Sequence, residues 1–239
     1  MNWSLILLLK NQLSSNSSAA IAILILHPSY FRCMSFSSTL LEQAVNEFAK
    51  LPGIGKKTAL RLVLHLIKQP AEETQFFADT LARMRKDIKF CTKCCNVSDT
   101  EVCNICSNIS RKKQLVCVVE NIRDVIAIES TQQFNGLYHV LGGVISPLDG
   151  VGPDQLTIEA LLHRIKADEV EELIFALNPN IQGDTTLFYI SKKLKDQPIN
   201  ITTIARGIAF GGELEYADEL TLARSLQNRQ PVASYVTMK

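Results

Sequence analysis

Apolar residues between positions 39 and 90 recur at helical spacing. Leu40, Leu41, Val45 and Phe48 fall on one face of a first helix, and Leu60, Val63, Leu64 and Ile67 on one face of a second. Positions three and four apart stack on the same side of a 3.6-residue turn, so each set predicts an amphipathic helix with a core-facing stripe. The pattern breaks at Leu51-Pro52-Gly53-Ile54-Gly55. Pro52 stops the first helix there, and the glycines permit a tight backbone turn. Periodicity vanishes over 91–106, a polar stretch too short for a core of its own. From 114 onward it returns in two alternating forms. Strands are predicted over Leu115–Val119, Tyr138–Leu141, Leu173–Leu177 and Ile199–Ile204, and helices over Ile122–Glu129, Thr157–Ala167, Asp184–Leu194 and Asp218–Gln227.

Such alternation predicts an α/β protein with a mostly parallel sheet flanked by helices. The chain divides on this reading into a helical part (34–90), a cysteine loop (91–106), an α/β segment (114–209) and a helical or strand tail (210–239). Ligands on parallel sheets gather at the carboxyl ends of the strands, where Glu120, Asn178 and Arg206 fall. Residues 1–33 look foreign to the rest. They hold two apolar runs, Leu5–Leu9 and Ala19–Leu26, both short of the roughly 18 residues of a membrane span. No basic stretch precedes the first run, as a secretory signal requires. The preferred start is therefore Met34, with 1–33 non-native or disordered.

Composition narrows the function classes. The formal net charge is +1, which gives no strong global field, so any nucleic-acid site is a local basic patch. Over 35–90, nine Lys and Arg face six Asp and Glu, and the patch belongs there. The odd cysteine count, seven, does not suit a fully paired disulfide framework. Cys91, Cys94, Cys103 and Cys106 form two C-x-x-C pairs separated by eight residues. Each pair can place two thiolates on one side of a tight turn, and two such turns complete a tetrahedron around one structural Zn2+. A filled tetrahedron keeps no open position for water, so this zinc is not catalytic. The register selects Cys94 over the adjacent Cys95, and Cys117 reads as a buried strand residue. Zinc-binding thiols fit a reducing compartment, the cytoplasm.

The glycine turn adds chemistry of its own. It presents backbone N–H groups at a helix start, where anions bind, and Lys56 and Lys57 add positive charge at the same place. Arg61 lies one turn further along. This is what sequence-independent phosphate contact requires, and Gly53, Gly55, Lys56, Lys57 and Arg61 are the candidate DNA-binding residues. The turn resembles the helix-hairpin-helix DNA-binding motif. No P-loop of the G-x4-G-K-[ST] form is present, which argues against ATP hydrolysis.

Val118-Val119-Glu120 resembles the end of the first strand of a Toprim domain, the fold of topoisomerases and primases. The resemblance implies a glutamate there and two aspartates after a later strand, which together bind magnesium. Glu120 is present, but the later strand runs into Asn178-Pro179-Asn180, neutral at both places. Asp184 could add one acid, away from the usual position. A Mg2+-dependent Toprim nuclease or phosphotransferase using Glu120 and Asp184 is the rival reading, and the missing carboxylates argue against it.

From Met34 onward the chain resembles the RecR family of recombination mediators. The resemblance rests on Leu51-Pro52-Gly53-Ile54-Gly55-Lys56-Lys57, the four cysteines, Val118-Val119-Glu120, Tyr138-His139-Val140-Leu141-Gly142-Gly143, Ser146–Pro153, Ala205-Arg206-Gly207 and Gly211–Asp218. Gln182 departs from it, standing where the family usually has glutamate. The resemblance implies a non-enzymatic, ring-forming homotetramer that binds single- and double-stranded DNA. It further implies action with RecO and RecF to load RecA onto single-stranded DNA coated with SSB, in the bacterial cytoplasm at the nucleoid. Glu120 and Asp184 would then lie on a partner surface. Among other residues, His139 is expected to make a structural hydrogen bond, His65 to pack or sit at the surface, Phe76 and Phe77 to lie in the core, and Asp218 to cap a helix. The cysteine loop reads as a clasp between the helical part and the α/β segment.

Overall fold

Ser38 opens the first helix, its hydroxyl accepting the Leu41 N–H at 3.4 Å. The computed structural model describes residues 38–209 and 211–231, so expectations for 1–33 concern a segment outside the described residues. The described chain divides into two compact units, one ending at Ala78 and the other beginning at Asp79.

In the first unit, α1 (Thr39–Phe48) and α2 (Lys56–Lys68) form a helical hairpin. Its seam is Val45, Ala59 and Val63, flanked by Leu41, Ala44, Phe48, Ala49, Ile54 and Leu60. Each fully buried valine contributes roughly 1.5–3 kcal/mol. The seam is narrower than the apolar stripes. Leu40 is 78% exposed, Leu64 42% and Ile67 64%, because two helices cover only the residues along their line of contact. Helix α3 (Ala71–Asp87) follows and has no buried residue. Phe76 and Phe77 are therefore not core, a correction to the sequence expectation, being 71% and 42% exposed.

In the second unit, which takes up the last part of α3 from Asp79 on, there follow a two-stranded antiparallel ribbon, β1 (Lys89–Phe90) with β2 (Val97–Ser98), and the short helix α4 (Asn104–Ser107). Lys89 and Phe90 thus belong to the cysteine loop and not to a helix. The sheet comprises β3 (Lys112–Val119), β4 (Gly136–Val140), β5 (Glu172–Ala176) and β6 (Asn200–Thr203) in the order β4-β3-β5-β6, every pairing parallel. Between them run α5 (Ile122–Ser130), α6 (Ile158–Ala167) and α7 (Ile181–Lys193), and α8 (Glu219–Gln227) closes the described chain.

Central β3 is covered on both faces, which is why Val116–Val119 is an unbroken buried run. Val116 and Val118 point to one face with Leu173 and Phe175, packing on Ile158, Leu161 and Ile165 of α6 and Ile190 of α7. Cys117 and Val119 point to the other with Tyr138, Val140 and Val125, and Ile105 of α4 joins them. Helix starts follow their caps. Asn121 makes a capping box with Asp124 at α5. Asn180 Oδ1 accepts the Gly183 N–H at 2.8 Å, so α7 begins at Ile181, three residues before the predicted start. Asp218 accepts the Thr221 N–H at 2.9 Å, the cap read from the sequence.

Candidate zinc centre and nucleic-acid interface

The cysteine loop is built by backbone turns that aim four sulfurs inward. Cys91 leaves β1, and its N–H donates to Asn96 O at 2.7 Å while its carbonyl accepts the Cys95 N–H at 2.9 Å. Cys95 takes a left-handed φ of 60° to complete that turn. Cys103 occupies the N-cap of α4, and its Sγ accepts the Cys106 N–H at 3.4 Å. Cys91 Sγ accepts the Cys103 N–H at 3.3 Å. The sulfurs of Cys91, Cys94, Cys103 and Cys106 all lie within 4.8 Å of one another. A zinc tetrahedron with Zn–S bonds near 2.3 Å needs S···S separations of about 3.8 Å, so the four thiols fit the ion. Without the ion the shared hydrogen bonds split the set, holding the Cys103 thiol below its usual range and pushing those of Cys94 and Cys106 above it.

Cys95 stands outside the cluster, as its register required. Cys117 is buried in β3, where desolvation pushes its thiol up to about 12. The loop is fastened to the sheet. Val140 N–H donates to Cys94 O at 2.9 Å, and Ile105 packs against the four cysteines and against both sheet clusters.

At the glycine turn, Gly53 has φ +80°, a conformation only glycine adopts without strain. Ile54 N–H donates to Leu51 O at 3.1 Å, closing the turn. Gly55 is the N-cap of α2 and brings no side-chain acceptor. The first N–H groups of α2 therefore remain available to an outside anion. Lys56, Lys57 and Arg61 are all exposed. None of them has an ion-pair partner among the described residues. Sequence reasoning missed Lys68, which joins Lys57, Arg61 and His65 along one shallow groove of α2. Its signal was present as helical spacing from Arg61.

At the carboxyl edge of the sheet the acids are engaged internally. Asn178 Nδ2 donates to Glu120 Oε2 at 2.7 Å. Arg206 Nη2 donates to Asp184 Oδ1 at 2.6 Å, and that guanidinium holds the Asp184 carboxyl below the usual carboxylate range. Asn180 is spent on its cap. A Cβ on Gly183 would collide with the Asn178 carbonyl, so this residue lets α7 approach the β5 loop closely. The cysteine set is the sole cluster of three or more candidate metal-ligating side chains among the described residues. His139 is fully buried in β4, and its Nε2–H donates to Thr157 O at 3.0 Å, the structural role expected of it. Desolvation pushes its pKa down to about 4, so it stays neutral. His65 is exposed beside Gln69.

A helical hairpin with an uncapped cationic turn, a four-thiol zinc loop and a parallel Toprim-like sheet define a protein class that handles nucleic acid. Family models match each part: the RecR helix-hairpin-helix over 41–85, the RecR four-cysteine zinc finger domain over 88–108, the Toprim domain over 114–205 and the RecR C-terminal part over 207–230. The Recombination protein RecR of Flavobacterium johnsoniae is 60% identical over 198 residues, 83% of this chain and 96% of that protein. That of Amoebophilus asiaticus is 57% identical over 196 residues, 82% of this chain and 98% of that protein. That of Bacteroides fragilis is 54% identical over 194 residues, 81% and 95% respectively. The chain belongs to the RecR family of recombination proteins, and it carries that family's one structural zinc ion. No described helix is long and apolar enough to cross a membrane.

Proposed function

We propose that this chain is a non-catalytic, DNA-binding mediator of recombination and repair. Its turn residues Gly53 and Gly55, with Lys56, Lys57 and Arg61, hold DNA phosphates without regard to sequence. Cys91, Cys94, Cys103 and Cys106 ligate the zinc. The parts 34–90, 91–106, 114–209 and 210–239 act as hairpin, zinc loop, partner-docking Toprim segment and tail. The protein forms a homotetrameric ring and works with RecO and RecF to load RecA onto SSB-coated single-stranded DNA in the bacterial cytoplasm. Glu120 and Asp184 belong to the partner surface.

The observation that carries the non-catalytic reading is the hydrogen bond from Asn178 to Glu120. A magnesium-dependent phosphoryl-transfer site needs several carboxylates converging on the ion. Here an amide N–H points at the one glutamate, and an amide donor repels a cation. Asp184 does not supply the deficit, because Arg206 already neutralises it.

The test is to incubate the full chain with duplex and single-stranded DNA in Mg2+, with and without RecO, following retention and cleavage together. Sequence-independent, salt-sensitive retention with intact DNA is expected, and the Lys56→Ala, Lys57→Ala double variant binds more weakly with a shallower salt dependence. Mg2+-dependent cleavage abolished by Glu120→Gln would restore the nuclease reading.

A further inference from the structure

The hairpin's positive charge does not end at its turn. Lys57, Arg61 and Lys68 line one groove on α2 with Leu60, Leu64 and His65, and no acid lines it. The spacing accounts for the alignment. Lys57 and Lys68 are eleven positions apart, and eleven steps of 100° close three turns to within about 20°. Arg61 lies between them, within about 40° of Lys57. Lys56, one residue earlier, projects about 100° away and is not part of this row.

The row is about 16 Å long at 1.5 Å per residue. One strand of B-form DNA advances 3.4 Å of axis per phosphate while winding around it, so successive phosphates lie farther apart than that along the strand, and cations about 6 Å apart, as Lys57 and Arg61 are along α2, meet neighbouring phosphates where the strand runs beside the helix. The floor is aliphatic, formed by Leu60 and Leu64. It has no aromatic side chain on which a base could stack, the feature that single-strand readers use. Lysine and arginine stems lie along such a floor and keep their charges outward. The chemistry is that of backbone contact alone.

We propose that α2 tracks a DNA backbone along its length: Lys57, Arg61 and Lys68 each hold a phosphate of one strand, and the strand runs parallel to the helix instead of meeting only its N-terminal end. This rests on the DNA-binding reading of the hairpin and extends it by Lys68 and by the direction of the nucleic acid. Lys68 is exposed and outside the Val45–Ala59–Val63 seam, so its substitution leaves the hairpin core intact.

The measurement is the slope of log affinity against log salt for the full chain on a short duplex and on a single strand, with circular dichroism as the check on folding. Each phosphate contact contributes about 0.9 to the slope on duplex and about 0.7 on a single strand. Lys68→Gln is expected to lower the slope by one such step, as Lys57→Gln does, and Lys68→Arg to restore it. A Lys68→Gln slope equal to that of the unaltered chain, with Lys57→Gln still reduced, overturns the tracking strip and leaves the turn as the DNA contact. If the unaltered chain binds neither DNA, both this inference and the reading beneath it fail.

Discussion

The helical hairpin and the sheet unit treat their charges in opposite ways. On α2, Lys57, Arg61 and Lys68 have no ion-pair partner among the described residues. At the edge of the sheet, Glu120 is bonded to Asn178 and Asp184 to Arg206. Beneath the sheet Arg111 grips Glu129 at 2.5 Å while Tyr138 donates to the same carboxylate at 2.7 Å. Charges satisfied inside the chain fix its shape, and charges left open recruit something from outside. At the sheet edge both of these acids are met by side chains of the protein itself.

The largest effect comes from dismantling the most self-contained site. Cys103→Ser removes a ligand whose sulfur also caps α4. Apparent zinc binding is worth roughly 10–16 kcal/mol in zinc-finger peptides, so the loop is expected to lose its metal and unfold, lowering the Tm of the chain. Metal content per chain and a thermal melt read this out, and a full equivalent of retained zinc contradicts the ligand set. A smaller effect comes from making the sheet edge resemble the hairpin. Asn178→Asp deletes the donor to Glu120 and sets a second carboxylate against it, which at this exposed pair costs up to about 1 kcal/mol. Added Mg2+ is expected to return part of the lost Tm in this variant and none in the parent. Equal responses to Mg2+ would mean that Asn178 is not what closes the site. The smallest effect is on acid stability. Arg111 lowers the pKa of Glu129. A depressed carboxyl adds stability that is complete above its unfolded pKa, near 4.3, and is lost as pH falls through the folded value. Glu129→Gln should flatten that acid limb in melts taken across pH, while leaving neutral-pH zinc content unchanged.

Most of the sheet unit was legible because its strands are buried on both faces and its turns are marked by Asn, Gly and Pro. The β3 boundary is three residues out, starting at Lys112 and not at Leu115, because its first residues are polar and exposed. The start of α7 was misplaced because periodicity begins counting at apolar residues, whereas the helix begins at its cap, Asn180. The zinc cluster was legible in spacing alone. The hairpin was less so. Periodicity marks every residue on an apolar stripe but not the width of the neighbour that covers it, so Leu64 and Ile67 were wrongly placed inside. Phe76 and Phe77 failed likewise, since no described residue buries α3. The donor role of Asn178 was not legible at all. The sequence showed a missing charge, and only the fold showed that the amide turns toward Glu120.

The bond between Val140 N–H and Cys94 O ties the metal loop to a strand that comes later in the chain. During synthesis the four thiols leave the ribosome before that strand does, and domains assemble from the N-terminal side as the chain emerges. For that interval the ligand loop lacks both its backbone anchor and the far side of the pocket that receives Ile105. A nascent chain therefore carries its four sulfurs on an unanchored loop until the sheet closes beneath them.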